Sequence, residues 1–127
     1  MESFEYRNGR LFCEEMALDT LAATHGTPAY VYSRDAIERA YLAYANALQG
    51  RGALICYAVK ANSNIALLNL LARLGAGFDI GSKGELARGI KAGGAANEVV
   101  FSGVAKTADE IAYALELGIK CFNVESI

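Results

Sequence analysis

Lys60 is the first residue that invites chemistry. It follows the apolar run at residues 53–59 (ALICYAV) and precedes Ala61, Asn62, Ser63 and Asn64. An amine at the end of a buried segment has its charged form disfavoured, so it can attack a carbonyl and form a Schiff base. The same lysine can instead snorkel, laying its stem on apolar surface and its ammonium in water. Asp79 is the second such residue. It lies inside the apolar stretch 77–80 (GFDI), and a buried carboxylate must find a hydrogen bond or a charge. Ser102, Gly103 and Lys106 follow the run EVVF, and Asn123, Glu125 and Ser126 surround the end of CFNV. Chemistry in parallel βα folds gathers at the carboxyl ends of strands, so these positions could share one polar rim.

Each has a plainer reading. Ser82, Glu85, Thr107 and Glu110 are spaced as helix caps. Asn62, Ser63 and Asn64 suit a turn and an N-cap, and Lys106 suits a solvated loop.

Other chemistries lack material. His25 is the only histidine; in ATHGTP it marks a helix end, with Gly26 suited to a left-handed cap. Cys13, Cys56 and Cys121 are far apart, with no CxxC and no neighbouring histidine. That pattern suits a reducing compartment and argues against a disulfide framework or a zinc site. The glycines of GAGFDIG precede a strand instead of following one, and no Walker sequence occurs, so nucleotide binding is unsupported. A net charge of -2 without a basic cluster argues against nucleic acid as a partner. No apolar run approaches the roughly 18 residues of a membrane span, and MESFEYRNGR lacks the basic start of a signal peptide. The cytoplasm is the expected compartment.

The elements that must position these residues alternate from residue 53 onward. ALICYAV, GFDI, EVVF and IKCFNV read as strands; NSNIALLNLLARLGAG, SKGELARGIKAGG and KTADEIAYALELG read as helices. Ser82 with Glu85, and Thr107 with Glu110, match the capping box that opens a helix. Continuous apolarity in the strands is the pattern of a parallel sheet covered on both faces. A strand-plus-helix period of about 22 residues suits a βα barrel. The first fifty residues differ: a hairpin turning at Asn8-Gly9, a short helix in MALDTLAATHG, an extended TPAYVYS, and a long helix opened by Ser33.

YAVKANSN, GFDIGSKGEL, VVFSGVAKT and CFNVES, with the earlier GTPAYVYS, together resemble the N-terminal part of bacterial diaminopimelate decarboxylases. These are fold-type III enzymes dependent on pyridoxal phosphate (PLP). The Ala61-Asn62-Ser63-Asn64 segment separates the chain from alanine racemases and from ornithine decarboxylases. The resemblance implies an α/β fold, the incomplete N-terminal part of a PLP-binding (β/α)8 barrel over residues 33–127. Residues 1–32 would pack with a C-terminal β-domain. Lys60 would be the catalytic lysine that holds PLP covalently. Asp79 would bind the cofactor beside it, and Glu85 would support both from behind while also capping its helix. Lys106 would fall on the pocket rim. The implied reaction is decarboxylation of meso-diaminopimelate to L-lysine and CO2 in lysine biosynthesis, by a cytoplasmic homodimer that uses no metal.

In that family the histidine that stacks on the cofactor, the phosphate loop, a glutamate on the pyridine nitrogen and the β-domain would all follow Ile127. The chain is therefore expected to be less than a third of the enzyme, inactive alone, and prone to associate through open strand edges. The competing readings are a non-catalytic PLP-binding relative, another basic amino acid decarboxylase of the ornithine or arginine class, and a small α/β protein in which Lys60 snorkels.

Overall fold

The computed structural model describes residues 3–126. It divides into two units, Met1–Ala43 and Tyr44–Ile127.

In the first unit, strands β1 (Phe4–Arg7) and β2 (Arg10–Cys13) pair antiparallel with Arg7 opposite Arg10. Asn8 and Gly9 between them both take positive φ, 51° and 78°, which Asn-Gly tolerates and a tight hairpin requires. A short β3 (Met16–Ala17) adds to β2, and helix α1 (Leu18–His25) follows. Gly26 has φ 80° and ψ 177°, so it ends α1 with a positive φ but outside the left-handed helical region expected for it. Helix α2 (Arg34–Ala47) begins at Ser33, whose Oγ accepts from the Ala36 N–H at 3.0 Å and donates to Glu14 at 2.8 Å. The Glu14 carboxylate also accepts the Asp35 N–H at 3.0 Å, and that bond followed by the Ser33 hydroxyl holds it below the usual carboxylate range.

In the second unit, β4 (Cys56–Ala58), β5 (Gly77–Ile80), β6 (Val99–Phe101) and β7 (Cys121–Phe122) form a parallel sheet in chain order. Helices α3 (Ile65–Arg73), α4 (Lys83–Lys91) and α5 (Ala108–Leu117) connect them. Strand side chains alternate between faces. Phe78, Ile80, Val99 and Phe101 are almost fully buried, clustered with Leu68, Leu86 and Ala114 of the three helices. The opposite face carries Ala58, Asp79, Val100 and Cys121 in one row of the ladder. There burial is partial, and Cys121 is exposed. The apolar runs predict burial on both faces, whereas the described residues bury one. A run such as ALICYAV reports how greasy a strand is, and which neighbour covers each face is a tertiary matter.

The expected strands are also longer than those found, since β4 stops at Ala58 and Val59–Ala61 turn as a 3-10 helix. Two glycines owe their place to packing. A Cβ on Gly94 would stand 2.4 Å from the Phe78 ring, and one on Gly89 would stand 3.1 Å from it. The helix α4 and its exit can therefore lie directly on that ring.

Candidate active site

The turn after β4 separates two neighbours completely. Val59 is fully buried in the core, while Lys60 is exposed on the rim. The segment that carries Lys60 is braced from three sides. The Tyr57 hydroxyl donates to the Asn62 carbonyl at 3.3 Å, Asn62 Oδ1 accepts from the Asn64 N–H at 3.0 Å, and Arg88 of α4 donates to the Ser63 carbonyl at 3.1 Å. Asn64 is the N-cap of α3, with its Oδ1 2.9 Å from the Ala66 nitrogen. The asparagines thus do the turn and cap work that their types suggest, and the lysine is left to face the rim.

Asp79 sits mid-strand in β5, between Ala58 and Val100 in the ladder. Its Oδ1 is buried and accepts no hydrogen bond among the described residues. An orphaned acceptor of this kind is costly, and such groups mark sites where a donor is to be supplied. The Asp79 charge reaches its neighbours: burial first, and then this carboxylate, push the Cys56 thiol above its ordinary value. Lys60 and Asp79 line one cavity of about 330 Å³, together with Ala58, Glu85, Ser102 and Gly103. The arrangement puts the lysine amine at the mouth, exposed where the apolar run predicts burial, and a buried acceptor within. It suits a ligand with a carbonyl for the lysine and a donor for the aspartate. Among the described residues no group of three His, Cys, Asp or Glu side chains could hold a metal.

Glu85 lies on the same cavity, but its bonding departs from the expected capping box. Ser82 Oγ accepts from the Glu85 N–H at 3.2 Å, as predicted. The Glu85 carboxylate, however, reaches past Ser82 to the Gly81 N–H at 2.6 Å. It therefore fixes the end of β5 at the cavity wall. Thr107 and Glu110 do form the full capping box, and Glu110 also accepts the Lys83 N–H at 3.0 Å, tying the start of α5 to that of α4.

Lys106 contradicts the picture of a solvated loop charge. Its side chain is only 10% exposed. The ammonium donates to the carbonyls of Gly103 and Asn123, lies 3.3 Å from Glu125, and stands 5.7 Å from the centroid of the Phe101 ring. Asn123 Nδ2 donates to Ser102 Oγ at 2.8 Å, a second link between the ends of β6 and β7. Sequence reasoning placed Lys106 near the rim but missed these partners, of which Asn123 and Glu125 lie on another strand's end. A larger cavity of about 490 Å³, lined by Met16, Tyr30 and Tyr32 among others, lies in the first unit and holds no lysine.

Known proteins resemble the chain in sequence and fold. Diaminopimelate decarboxylase of Pseudomonas aeruginosa is 60% identical over 126 residues, 99% of this chain and 30% of that protein. The crystal structure of Helicobacter pylori diaminopimelate decarboxylase with L-lysine superposes at TM-score 0.82, with 51% identity over 86% of this chain and 28% of that one. That of the M. jannaschii enzyme with L-lysine superposes at TM-score 0.92, with 36% identity over 98% of this chain and 30% of that one. The chain spans about 30% of the length of the curated relatives it matches. Residues 34–127 match the pyridoxal binding domain of the pyridoxal-dependent decarboxylases, and the chain belongs to that family.

Proposed function

We propose that Lys60 holds pyridoxal phosphate, and that the protein to which this chain contributes decarboxylates meso-diaminopimelate to L-lysine and CO2. The single observation that carries this reading is the pairing, in one cavity, of the Lys60 amine with the buried, unpartnered Asp79 Oδ1. The residues present fit the cofactor. Its aldehyde needs an amine, which Lys60 offers at an open rim, and its polar edge can supply the donor that Asp79 lacks. When bound, the cofactor supplies an electron sink for the electrons left behind as a carboxylate departs. The chain's own residues have simpler duties. Lys60 would hold the cofactor through its amine and yield it to the substrate's amino group, Asp79 would accept a hydrogen bond in the cavity, and Glu85 keeps the β5 end in place through Gly81.

The choice of substrate rests on the relatives, whose names specify diaminopimelate and whose structures hold L-lysine. We place residues 33–127 as the first part of a (β/α)8 barrel, and residues 1–32 as a segment that packs with a separate β-domain. A cytoplasmic homodimer completes the proposal. The unclustered cysteines support that compartment, and no helix of the described residues is long and apolar enough to cross a membrane.

The test adds PLP to the longest product of the encoding gene, reduces with borohydride, and locates the pyridoxyl group by mass spectrometry. One adduct, on Lys60, is expected, and Lys60→Met is expected to abolish it. Adducts spread evenly over the lysines, or none, would remove the basis of the reading. Release of CO2 from meso-diaminopimelate in preference to ornithine or arginine then decides the substrate.

A further inference from the structure

Lys106 lies outside the chemistry described so far, yet it is the most enclosed lysine for which the structure gives an ion pair. An ammonium has three N–H donors, and three oxygens surround this one: the Gly103 carbonyl, the Asn123 carbonyl and the Glu125 carboxylate. The ammonium nitrogen stands over the Phe101 ring, which is itself fully buried and stacks on Phe122 with centroids 5.7 Å apart. One side chain therefore ties the loop after β6 to the stretch after β7.

The tie leads directly to the cavity wall. Gly103 packs its Cα against the Gly81 carbonyl so closely that a Cβ would stand 2.4 Å from the oxygen. Gly81 is in turn held by Glu85 at 2.6 Å. Ser102, Gly103, Val104 and Ala105, which line the Lys60–Asp79 cavity, form the loop whose far end is Lys106. The links are contiguous: Glu125 and Asn123 to Lys106, Lys106 to Gly103, Gly103 to Gly81, and Gly81 to Glu85.

We infer that Lys106 is a positioning residue that sets the wall of the Lys60–Asp79 cavity by drawing the ends of β6 and β7 together. The inference rests on the proposal that this cavity takes PLP. The substitution Lys106→Met keeps an unbranched side chain of similar length and removes all three donors. Lys106→Arg restores the charge and several donors.

The experiment measures the PLP concentration that half-labels Lys60 under borohydride, in the longest gene product, alongside amide hydrogen exchange. K106M is expected to raise the half-labelling concentration fivefold or more, and K106R to return it to within threefold of wild type. The Ser102 and Asn123 amides, bonded to Ile80 at 2.8 Å and Phe101 at 2.9 Å, are expected to exchange at least tenfold faster in K106M. Labelling of K106M at the wild-type concentration overturns the inference and leaves the proposed function standing. A wild-type protein that takes no adduct at Lys60 overturns both. If K106M does not fold, Glu125→Gln is read in its place. A two- to threefold rise there supports the inference, and an unchanged value overturns it.

Discussion

Gly103 offers a sharp test of how the site wall is built. In Gly103→Ala the new Cβ would lie 2.4 Å from the Gly81 oxygen, 3.0 Å from its carbonyl carbon and 3.1 Å from its Cα. These are backbone atoms, so no rotamer change relieves the clash, and the two segments must part by about 1 Å to reach ordinary contact. Neither is free to move. The Gly81 N–H is bound by Glu85, and the Ile80 carbonyl just before it accepts the Ser102 N–H at 2.8 Å. Overpacking of this kind costs about 1–3 kcal/mol, and losing one of those bonds adds about 1 kcal/mol. The expected destabilisation is therefore about 2–4 kcal/mol.

Gly84→Ala is the matched control. It lies on α4, and its Cβ would meet nothing closer than Ser82 Oγ at 3.9 Å. The same chemical change there is expected to stabilise by about 0.5–1 kcal/mol, because alanine loses less backbone entropy in a helix. Pulse proteolysis in urea reads both variants. With a denaturant slope of about 2 kcal/mol per molar, G103A is expected to lower the midpoint by about 1–2 M. G84A is expected to raise it by a few tenths molar. A G103A midpoint equal to that of wild type, or a G84A midpoint that falls as far as that of G103A, would refute the reasoning.

Phe78→Ala removes a fully buried ring that Gly89 and Gly94 are shaped to receive, so the same assay is expected to show a loss of about 3–5 kcal/mol; a loss below about 1 kcal/mol would contradict this packing. Glu110 predicts a pH dependence. The Lys83 N–H first, and the Thr107 N–H second, hold its carboxyl below the ordinary value. A carboxyl lowered on folding contributes stability above its unfolded value of about 4.3, and that contribution is lost as pH falls through the folded value. Urea midpoints measured from about pH 6 down to about pH 3 are therefore expected to fall less steeply in Glu110→Gln than in wild type. Equal slopes would show that the carboxylate does not tie α5 to α4 in solution.

At two places where a bond closes within a few residues, the sequence by itself determined the outcome. Asn8-Gly9 turns the hairpin because those two residues tolerate positive φ, and Thr107 with Glu110 opens α5 because each side chain reaches a backbone donor three positions away. The placement of Lys60 and Asp79 was legible for a related reason. Strands followed by short helices put successive strand ends on one rim, and a charged residue that closes or interrupts an apolar strand stands out against it. Strand ends, by contrast, were set by tertiary packing: ALICYAV reads as one strand, yet Val59 leaves the ladder to enter the core.

The carboxylate of Glu85 chose Gly81 over the nearer Ser82 because of where the turn after β5 carries that N–H. Lys106 is the clearest case. As a residue type it belongs in water, and only the parallel pairing of β6 with β7 brings the Asn123 carbonyl and Glu125 around it. Spacing along the chain states which groups can meet locally. Three-dimensional register decides which distant groups meet, because hydrogen bonds and close packing depend on tenths of an ångström that no linear pattern encodes.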